Sequence, residues 1–358
     1  MDYKNILITG GCGFIGSNLA VSLKAKYPLS KITSLDNLIR KGSELNVDRL
    51  KKNNIEFIKG DIRNQGDLES ISNIDLLIEC SAETSVLAGY GESPRYTIDT
   101  NLVGTINCLE LARKKKAGVI FLSTSRVYPY SVINQLKVKE GETRFVWEKS
   151  EGKNIAGFSE EGIDVGFPLF PGVRSMYGAT KLCSEILLNE YMAMYGLRGV
   201  INRCGVVAGP WQFGKVDQGV FTFWMLEHYF KKPLSYIGFG GKGKQTRDFL
   251  HVDDLFDLID LQINSMDKVS GQTYNVGGGK EISLSLLEAT KICQEITNNK
   301  IDIGQEEKTR PADVAIYITD NRKASKDLGW KPKRDARKVL EDIYKWIKDN
   351  QDSLSAIL

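Results

Sequence analysis

The sequence predicts an α/β protein in which a doubly wound parallel sheet is followed by a smaller C-terminal α/β domain. Two observations predict it: short apolar segments alternate with helical segments over the first third of the 358 residues, and a glycine-rich turn joins the first such pair. Strands that alternate with helices form a parallel sheet covered on both faces. Hydrophobic residues make up 42% and charged residues 26%, a balance that excludes a disordered chain.

The order of the elements follows from this alternation. The first strand is a short apolar segment (NILIT) that a glycine turn ends, and a helix with an apolar face follows it. The later strands are apolar segments of the same kind, and each is bounded by polar or glycine residues. The predicted strands are Asn5–Thr9, Lys31–Leu35, Ile55–Ile58, Ile74–Ile78, Val119–Leu122 and Gly199–Arg203. The predicted helices are Ser17–Lys26, Thr105–Lys116, Tyr177–Tyr195 and Arg337–Lys348.

Composition excludes several classes of function. Lys plus Arg exceeds Asp plus Glu by only 3. This excess of positive charge is too small to indicate nucleic-acid binding. No apolar run approaches the ~18 residues of a membrane-spanning helix. The start, MDYKNILITGG, has the pattern of a strand rather than a signal peptide, so we expect a cytoplasmic protein with reduced thiols. With two histidines and no C-x-x-C among six cysteines, no metal site is expected.

A glycine-rich loop follows the first strand as Thr9-Gly10-Gly11-Cys12-Gly13-Phe14-Ile15-Gly16. Glycines let the backbone approach a pyrophosphate, and the helix N-terminus that follows offers unpaired N–H groups. A structural turn is the alternative, but the strand before the loop and the helix after it favour dinucleotide binding. The predicted contacts come from Gly10, Gly13, Phe14, Ile15 and Gly16.

Acidic residues follow the second and third strands. Asp36 lies 20 residues beyond Gly16, where a carboxylate can bind the adenosine ribose hydroxyls and repel a 2′-phosphate. That favours NAD over NADP, although Arg40 and Lys41 lie close by in the sequence and can tolerate the 2′-phosphate of NADP. Asp61 is placed to reach the adenine amino group. A helix cap at Asp36 and a turn residue at Asp61 are the structural alternatives.

Tyr177 and Lys181 form a Y-x-x-x-K motif, and residues four apart on a helix share a face. An ammonium beside a phenol favours the phenolate, so Tyr177 can take a proton from a hydroxyl group. Thr124 ends the fifth strand, at the sheet edge where ligands of such proteins bind, and its hydroxyl can bond to the same oxygen. The structural alternative for the pair is an exposed helix face.

Taken together, these motifs resemble the extended short-chain dehydrogenase/reductase family, and within it the nucleotide-sugar epimerases. The segments Arg247–Asp254 and Tyr274–Gly278 fit as well, so the resemblance runs from about Asn5 to Lys331 and is clearest outside Ser131–Val173. It implies an NAD(P)-binding Rossmann fold and a nucleotide-diphosphate sugar as substrate, and we expect neither a nucleic acid nor a membrane as partner. Relatives often carry His-x-Ala after the fourth strand, where this chain has Glu79-Cys80-Ser81-Ala82.

The resemblance also implies roles for individual residues. Tyr177 is the acid/base, Lys181 holds it and the nicotinamide ribose, and Thr124 orients the substrate. Arg247 and Arg310 match arginines that contact the diphosphate, for which a surface ion pair is the alternative. The implied cofactor contacts are Gly10, Gly13, Phe14, Ile15, Gly16, Asp36, Asn37, Asp61, Ile62, Asn101, Tyr177 and Lys181.

Three enzymatic alternatives remain open at this level. Asp36–Gly42, Gly60–Asn64 and Asp217–Gly219 resemble the CDP-paratose (CDP-tyvelose) 2-epimerases, which predicts inversion of a sugar carbinol through a transient ketone. The others are a nucleotide-sugar 4-epimerase and an NAD(P)-dependent reductase. A non-catalytic dinucleotide-binding protein fits the sequence less well, because Thr124, Tyr177 and Lys181 are all present. Dehydratases of the family carry Asp-Glu after the strand-end Thr, where this chain has Ser125-Arg126.

The predicted domains are an NAD-binding Rossmann domain over 1–203 and a nucleotide-sugar-binding domain over 204–358. The segment around 247–260 is expected to return to the first domain. A polar excursion over 131–173 interrupts the first domain and is predicted to shape the sugar pocket as a lid rather than to form core. The helices Thr105–Lys116 and Tyr177–Tyr195 resemble those that form the family's dimer bundle. A homodimer is therefore expected, with a tetramer as the alternative.

Overall fold

The structure is a computed structural model that describes residues 3–148, 155–215 and 218–355. Residues 149–154 of the predicted excursion and Asp217 of the motif Asp217–Gly219 lie outside the described residues. None of the helices in the described ranges is both long and apolar enough to cross a bilayer.

The strands and helices alternate through the N-terminal part of the chain. The strands are β1 Asn5–Thr9, β2 Lys31–Asp36, β3 Glu56–Lys59, β4 Leu76–Glu79, β5 Gly118–Thr124, β6 Val138–Glu140, β7 Phe145–Trp147, β8 Phe158–Ser159, β9 Gly162–Ile163, β10 Gly199–Cys204, β11 Val206–Ala208, β12 Leu234–Ile237, β13 Thr246–His251, β14 Thr273–Val276, β15 Ser283–Ser285, β16 Ile303–Glu306 and β17 Ile316–Tyr317. The helices are α1 Phe14–Lys26, α2 Leu45–Lys52, α3 Gln65–Glu69, α4 Arg95–Ile98, α5 Gly104–Lys115, α6 Tyr130–Ile133, α7 Met176–Tyr195, α8 Val220–Tyr229, α9 Val252–Asn264, α10 Met266–Val269, α11 Leu286–Thr297, α12 Arg322–Leu328, α13 Ala336–Asp349 and α14 Gln351–Ser355.

The predicted parallel sheet is present, and its strand order is that of a doubly wound fold. Its seven described strands lie in the order β3-β2-β1-β4-β5-β10-β14. The pairs β1/β2, β1/β4, β2/β3 and β4/β5 are parallel. The direction of winding reverses between β1 and β4, and ligands of such sheets bind at the carboxyl ends of the strands at that point. The glycine-rich loop follows β1 there, and Glu79 ends β4.

The sequence predictions hold for these elements, with small shifts of the boundaries. Strand β1 has the predicted bounds, and Asp36 and Thr124 end β2 and β5 as expected. Asp61 lies two residues beyond β3, which ends at Lys59. A π-helical turn, Asp99–Val103, precedes α5 and contains Asn101. Such turns shift the residues of a helix by a fraction of a turn and are often found at functional sites.

The chain divides into two compact units. The first comprises Met1–Val127, Met176–Arg203 and Leu255–Tyr274, and the second comprises Tyr128–Ser175, Cys204–Asp254 and Asn275–Leu358. The core of the first unit is formed by apolar side chains of the sheet and its helices. It includes Leu7, Leu35, Leu77, Phe121, Cys108, Leu188 and Ile201.

The second unit has a core of its own, built on β13. This strand pairs with β11 and β17 in parallel and with β15 antiparallel. The apolar faces of α8, α11 and α13 cover it with side chains that include Phe221, Trp224, Ala289, Val339, Ile343 and Trp346. The regular 3.6-residue spacing of apolar positions in the predicted Arg337–Lys348 helix explains why α13 buries one face here.

The segment that the sequence predicts to be a lid buries apolar side chains within the second unit. It forms two short antiparallel pairs, β6/β7 and β8/β9, within the second unit. Phe158, Ile163 and Phe167 are buried, and the Tyr128 and Phe167 rings meet edge to face at 5.7 Å. Ile133 and Leu136 are buried as well. The expectation that the segment is a lid without core is therefore wrong, because a few apolar side chains within a polar segment suffice to anchor it.

Candidate active site

The glycine-rich loop lies close against the ends of β2 and β4. Gly10 has φ +62°, and a Cβ there would come within 2.9 Å of the Cys80 backbone. A Cβ at Gly11 would lie 2.5 Å from the Ser34 side chain, and one at Gly16 would lie 2.2 Å from the Gly10 carbonyl oxygen. Backbone-to-backbone contact at this distance is open only to glycine. The spacing of the motif is thus required by how the loop packs.

The loop leads directly into the N-terminus of α1. Gly13 is the N-cap and provides no side-chain hydrogen bond, and the first turn carries no acidic residue. The first intrahelical bond runs from the Ser17 N–H to the Gly13 carbonyl at 3.0 Å, so the N–H groups of Phe14, Ile15 and Gly16 precede the helical ladder. Helix N–H groups with no acidic side chain nearby are suited to bind a pyrophosphate. The residues therefore fit the dinucleotide that the sequence predicts.

Asp36 connects the glycine loop to β2. Its carboxylate accepts the Cys12 N–H at 3.0 Å and the Leu38 N–H at 2.8 Å, and the side chain is buried. Burial raises the pKa of Asp36 above its ordinary value, and these backbone N–H groups act in the opposite direction. The Gly13 N–H acts on this carboxylate as well. A carboxylate has about four acceptor positions, so one remains for a ribose hydroxyl.

Asp61 and Asn37 meet beside Asp36. Asn37 donates to the Asp61 carboxylate at 3.0 Å, and Arg63 lies 2.6 Å from it. The Arg63 guanidinium lowers the pKa of Asp61 to about 2. Arg63 also lies over the Tyr96 ring at 4.9 Å. The structure therefore brings together three acidic or amide side chains that the sequence assigns to the cofactor.

Two other predicted cofactor residues have protein partners. The Ile62 carbonyl accepts from Asn107 at 2.8 Å, and its side chain packs on Gly104, where a Cβ would lie 2.5 Å from it. Asn101 is fully buried: it accepts the Glu83 N–H at 2.8 Å and donates to the Glu83 carbonyl at 2.9 Å. Asn101 thereby fixes the loop after β4, and its contact with a cofactor remains a prediction.

The turn after β5 and the start of α7 bring Thr124 and Tyr177 to one place in the first unit. The Thr124 hydroxyl accepts the Arg126 N–H at 3.2 Å. Gly178 follows Tyr177, and a Cβ there would lie only 2.0 Å from the Arg126 carbonyl oxygen. The helix that carries the phenol therefore lies directly on the turn that carries the hydroxyl. Tyr177 is half-buried, whereas Thr124 is buried.

Lys181 lies one turn further along α7 and is buried. Its ammonium is 3.6 Å from the Glu79 carboxylate and 4.1 Å from the centre of the Phe121 ring. On the next turn, Glu185 accepts from the Ser123 hydroxyl at 2.5 Å and from Arg203 at 2.7 Å. Two buried carboxylates thus hold the face of α7 that carries the Y-x-x-x-K motif.

The two arginines predicted to bind a diphosphate belong to the second unit. Arg247 donates to Asp313 at 2.6 Å and to the Thr246 carbonyl at 2.8 Å. Arg310 lies three residues before Asp313 in the same turn, where the Asp313 N–H donates to its carbonyl at 3.4 Å. The structure therefore brings Arg247 to the turn that contains Arg310. Their contact with a substrate remains a prediction.

Comparison with known proteins shows the family. Residues 6–277 match the model of the "NAD dependent epimerase/dehydratase family". The chain belongs to this family. A member from Salmonella typhi, CDP-paratose 2-epimerase, is 31% identical over 95% of this chain and 98% of its own length. UDP-glucuronate 4-epimerase of Thermodesulfobacterium geofontis is 29% identical over 98% of both chains.

A solved structure of the epimerase/dehydratase family supports the same assignment. The UDP-glucuronic acid 4-epimerase of Bacillus cereus, in complex with UDP-glucuronic acid and NAD, superimposes with a TM-score of 0.76. It is 26% identical and covers 96% of this chain and 99% of its own. The chain is therefore an NAD-dependent enzyme, and the open helix N-terminus and the Asp36 carboxylate described above fit that cofactor.

Some residues around the candidate site escape sequence reasoning. Only glycine fits at position 178, because any side chain there would collide with the Arg126 carbonyl. In the sequence this position is simply one of the three variable residues of Y-x-x-x-K. Asp313 is visible beside Arg310 in the sequence, but nothing there pairs it with Arg247. Glu79 does carry a signal, because a carboxylate stands where relatives often have histidine. Its partner Lys181 is apparent only in the fold.

Proposed function

We propose that the chain is a nucleotide-sugar epimerase that inverts C2 of a CDP-linked deoxy sugar through a transient ketone. The observation that carries the proposal is the approach of Gly178 to the Arg126 carbonyl, which sets the start of the helix that carries Tyr177 against the turn after Thr124. The near full-length similarity to CDP-paratose 2-epimerase supports the choice of sugar and carbon.

The residues act on a single hydroxyl group of the sugar. Thr124 hydrogen-bonds to its oxygen, and Tyr177 as phenolate removes its proton. The Lys181 ammonium favours the phenolate, because an opposite charge stabilises the ionised form. NAD, when bound, supplies the acceptor and then the donor of a hydride. The phenol returns its proton when the carbinol forms again with inverted configuration.

The carbon that is inverted must itself be oxidised. A ketone at C4 acidifies the hydrogens at C3 and C5 and leaves C2 unaffected, so redox inversion at C2 requires a ketone at C2. The ketosugar must turn over in place and then accept hydride on its other face. Arg247 and Arg310 are proposed to hold the diphosphate while it does so, since a guanidinium binds phosphate oxygens in a bidentate manner.

The test is incubation of the purified protein with a panel of CDP-, UDP- and dTDP-sugars without added cofactor. NMR then shows which ring carbon inverts. Inversion at C2 of a CDP-sugar supports the proposal. Inversion at C4 of a UDP-sugar favours the second candidate, a 4-epimerase, which the similarity to the Bacillus cereus enzyme supports. A stoichiometric requirement for NADPH would instead identify a reductase.

Elimination of water is the remaining reaction of the family. The sequence after Thr124 is Ser125-Arg126, so the acidic pair that dehydratases use at this point is absent. A 4,6-dehydratase would need another general acid, and accumulation of a stable 4-keto sugar in the same NMR experiment would reveal one.

We also propose that the enzyme is a homodimer formed through the first unit. Apolar side chains on α7 and on the turn before α5 are exposed: Val103, Ile186, Met194 and Tyr195. Burial of such side chains against a second copy is favourable. Light scattering of wild type should give twice the mass of the chain, and Ile186→Glu should give a monomer. A wild-type monomer would refute the proposal.

A further inference from the structure

Glu79 is a buried acid that the mechanism described above does not use. It ends β4, and its side chain is 1% exposed. Neither carboxylate oxygen has a hydrogen-bond partner within 3.5 Å in the described ranges; the Lys181 ammonium lies 3.6 Å away, and the Thr105 hydroxyl is near enough to act on the carboxylate. A buried carboxylate without a close hydrogen bond is costly, so its retention there calls for an explanation.

The surroundings of the pair are almost entirely uncharged. In the sheet, Glu79 is in register with Thr9 on β1 and with Phe121 on β5. Residues in register on parallel strands point to the same face, so these side chains share the face on which the Lys181 ammonium lies over the Phe121 ring. Phe121 supplies an aromatic face, which attracts the ammonium but cannot balance its charge.

The other titratable groups near the pair are neutral or already compensated. Cys108 on α5 has a pKa well above its ordinary value, because it is buried and Glu79 lies nearby, so it remains a thiol. Glu185 on α7 binds Arg203 and Ser123. Tyr177 on α7 is the proposed acid/base. Glu79 is therefore the acid that balances the charge of Lys181.

The two charges depend on each other. Burial raises the pKa of Glu79, and the Lys181 ammonium acts in the opposite direction. Removal of one partner of a buried pair leaves an uncompensated charge, which desolvation then neutralises by shifting its pKa. A Lys181 that has lost its proton can no longer favour the phenolate at Tyr177.

We propose that Glu79 is a positioning residue that keeps Lys181 charged and directed into its buried site beneath Tyr177. The proposal rests on the proposed function only in the role of Tyr177 as acid/base. It identifies the carboxylate at the end of β4 as the group that stabilises the protonated form of the lysine.

The test measures the protonation of Lys181 directly. Protein labelled with 13Cε-lysine is titrated by NMR, and the resonance is assigned by its absence in Lys181→Met. In Glu79→Gln, which preserves shape and removes the charge, the pKa of Lys181 should fall by about 1–3 units. Glu79→Asp retains a charge at greater distance, so its value should lie between those of Glu79→Gln and wild type.

A matched control is Glu56→Gln. Glu56 lies on the edge strand β3 of the same sheet and pairs with Lys31 at 2.9 Å, with both side chains about half exposed. This change should leave the Lys181 resonance at its wild-type pKa. An unchanged Lys181 titration in Glu79→Gln, or equal shifts in Glu79→Gln and Glu56→Gln, would overturn the proposal.

A second measurement covers failure of Glu79→Gln to fold. In wild-type protein labelled with 13C at the glutamate carboxyl, the Glu79 resonance is assigned by its loss in Glu79→Asp. The proposal expects an ionised carboxylate at pH 7, and a protonated one would refute it. Neither readout needs a substrate. Failure to epimerise any nucleotide sugar would therefore refute the proposed function and leave the Lys181 result standing.

Activity provides the final check. The proposal expects the basic limb of the pH profile of kcat to move to lower pH in Glu79→Gln by the same amount as the NMR titration. KM should change little, because Glu79 is buried and does not face solvent. A fall in kcat at all pH values with no movement of that limb would indicate a purely structural role and overturn the proposal.

Discussion

Arg203, on β10 of the central sheet, binds the Glu185 carboxylate on α7 at 2.7 Å, and both side chains are buried. The same carboxylate accepts the Ser123 hydroxyl next to Thr124. The helix that carries Tyr177 and Lys181 is thus bound to two strands of the sheet through one acid. The position of α7 depends on this contact as well as on apolar packing.

The first prediction concerns this buried pair. Arg203→Met leaves Glu185 buried without its cation and should lower the free energy of unfolding by about 3–5 kcal/mol. Urea unfolding measures it. The double variant Arg203→Met/Glu185→Leu should recover most of the loss, because it removes both charges. The exposed Lys31–Glu56 pair is the control, and its loss should cost less than about 1 kcal/mol. Equal losses at the two pairs would contradict the prediction.

Tyr177→Phe tests the acid/base. The variant should retain NAD but lose proton transfer, which corresponds to a fall in kcat of about 10²–10⁴-fold. NMR of the sugar product and the dinucleotide content of the purified protein measure the two quantities. Tyr191→Phe is the control on the same helix, where the hydroxyl binds Glu110 at 2.7 Å. Full turnover by Tyr177→Phe would remove Tyr177 from the mechanism.

Asp36→Asn tests the preference for NAD. Loss of a charged acceptor for the ribose hydroxyls should weaken NAD binding by about 10–100-fold and narrow the gap between NAD and NADP. Calorimetric titration of cofactor-stripped protein gives both constants. Asp48→Asn, at an exposed position on α2, should change neither. Unaltered NAD affinity in Asp36→Asn would contradict this assignment.

Arg247→Met tests the proposed diphosphate contact. Because a guanidinium binds phosphate in substrate and transition state alike, KM should rise about tenfold or more while kcat changes less. Initial rates over a range of nucleotide-sugar concentrations separate the two. Arg322→Met is the matched control, since Arg322 also pairs with an aspartate of the second unit, Asp320. Equal KM values in both variants would refute the contact.

The buried carboxyl of Asp248 should make the free energy of unfolding depend on pH. It is buried in the second unit, where burial raises its pKa to about 6 from 3.8. The folded state binds this proton more tightly than the unfolded chain does. Protonation of Asp248 therefore contributes fully to the free energy of unfolding below pH 3.8. This contribution, about 3 kcal/mol, is lost as the pH rises to about 6.

Urea unfolding of wild type and Asp248→Asn between pH 4 and 7 checks the sign. Asn retains an oxygen for the Gly279 N–H, which Asp248 accepts at 3.0 Å, and removes the titration. The variant should therefore gain stability relative to wild type as the pH rises. Two curves that remain parallel would show that Asp248 has an ordinary pKa.

Local patterns predicted much of the fold. The bounds of β1, the end of β5 and the helix of the Y-x-x-x-K motif agree with the sequence to within one or two residues. The error at 131–173 has a physical cause. Phe167 packs on Tyr128 and Ile163 bonds to the Ile318 carbonyl, both outside the segment. A polar composition does not reveal which few side chains will meet such partners.

The sequence by itself determined the elements of the Rossmann fold, the glycine-rich loop between β1 and α1, and the placing of Tyr177 and Lys181 one turn apart on a single helix. These depend on spacings of a few residues, which the geometry of strands and helices converts directly into a shared face. Only the tertiary structure decided that Glu79 faces Lys181 at 3.6 Å and that Arg247 binds Asp313 at 2.6 Å. These contacts join distant parts of the chain, and their partners are fixed by how whole elements pack.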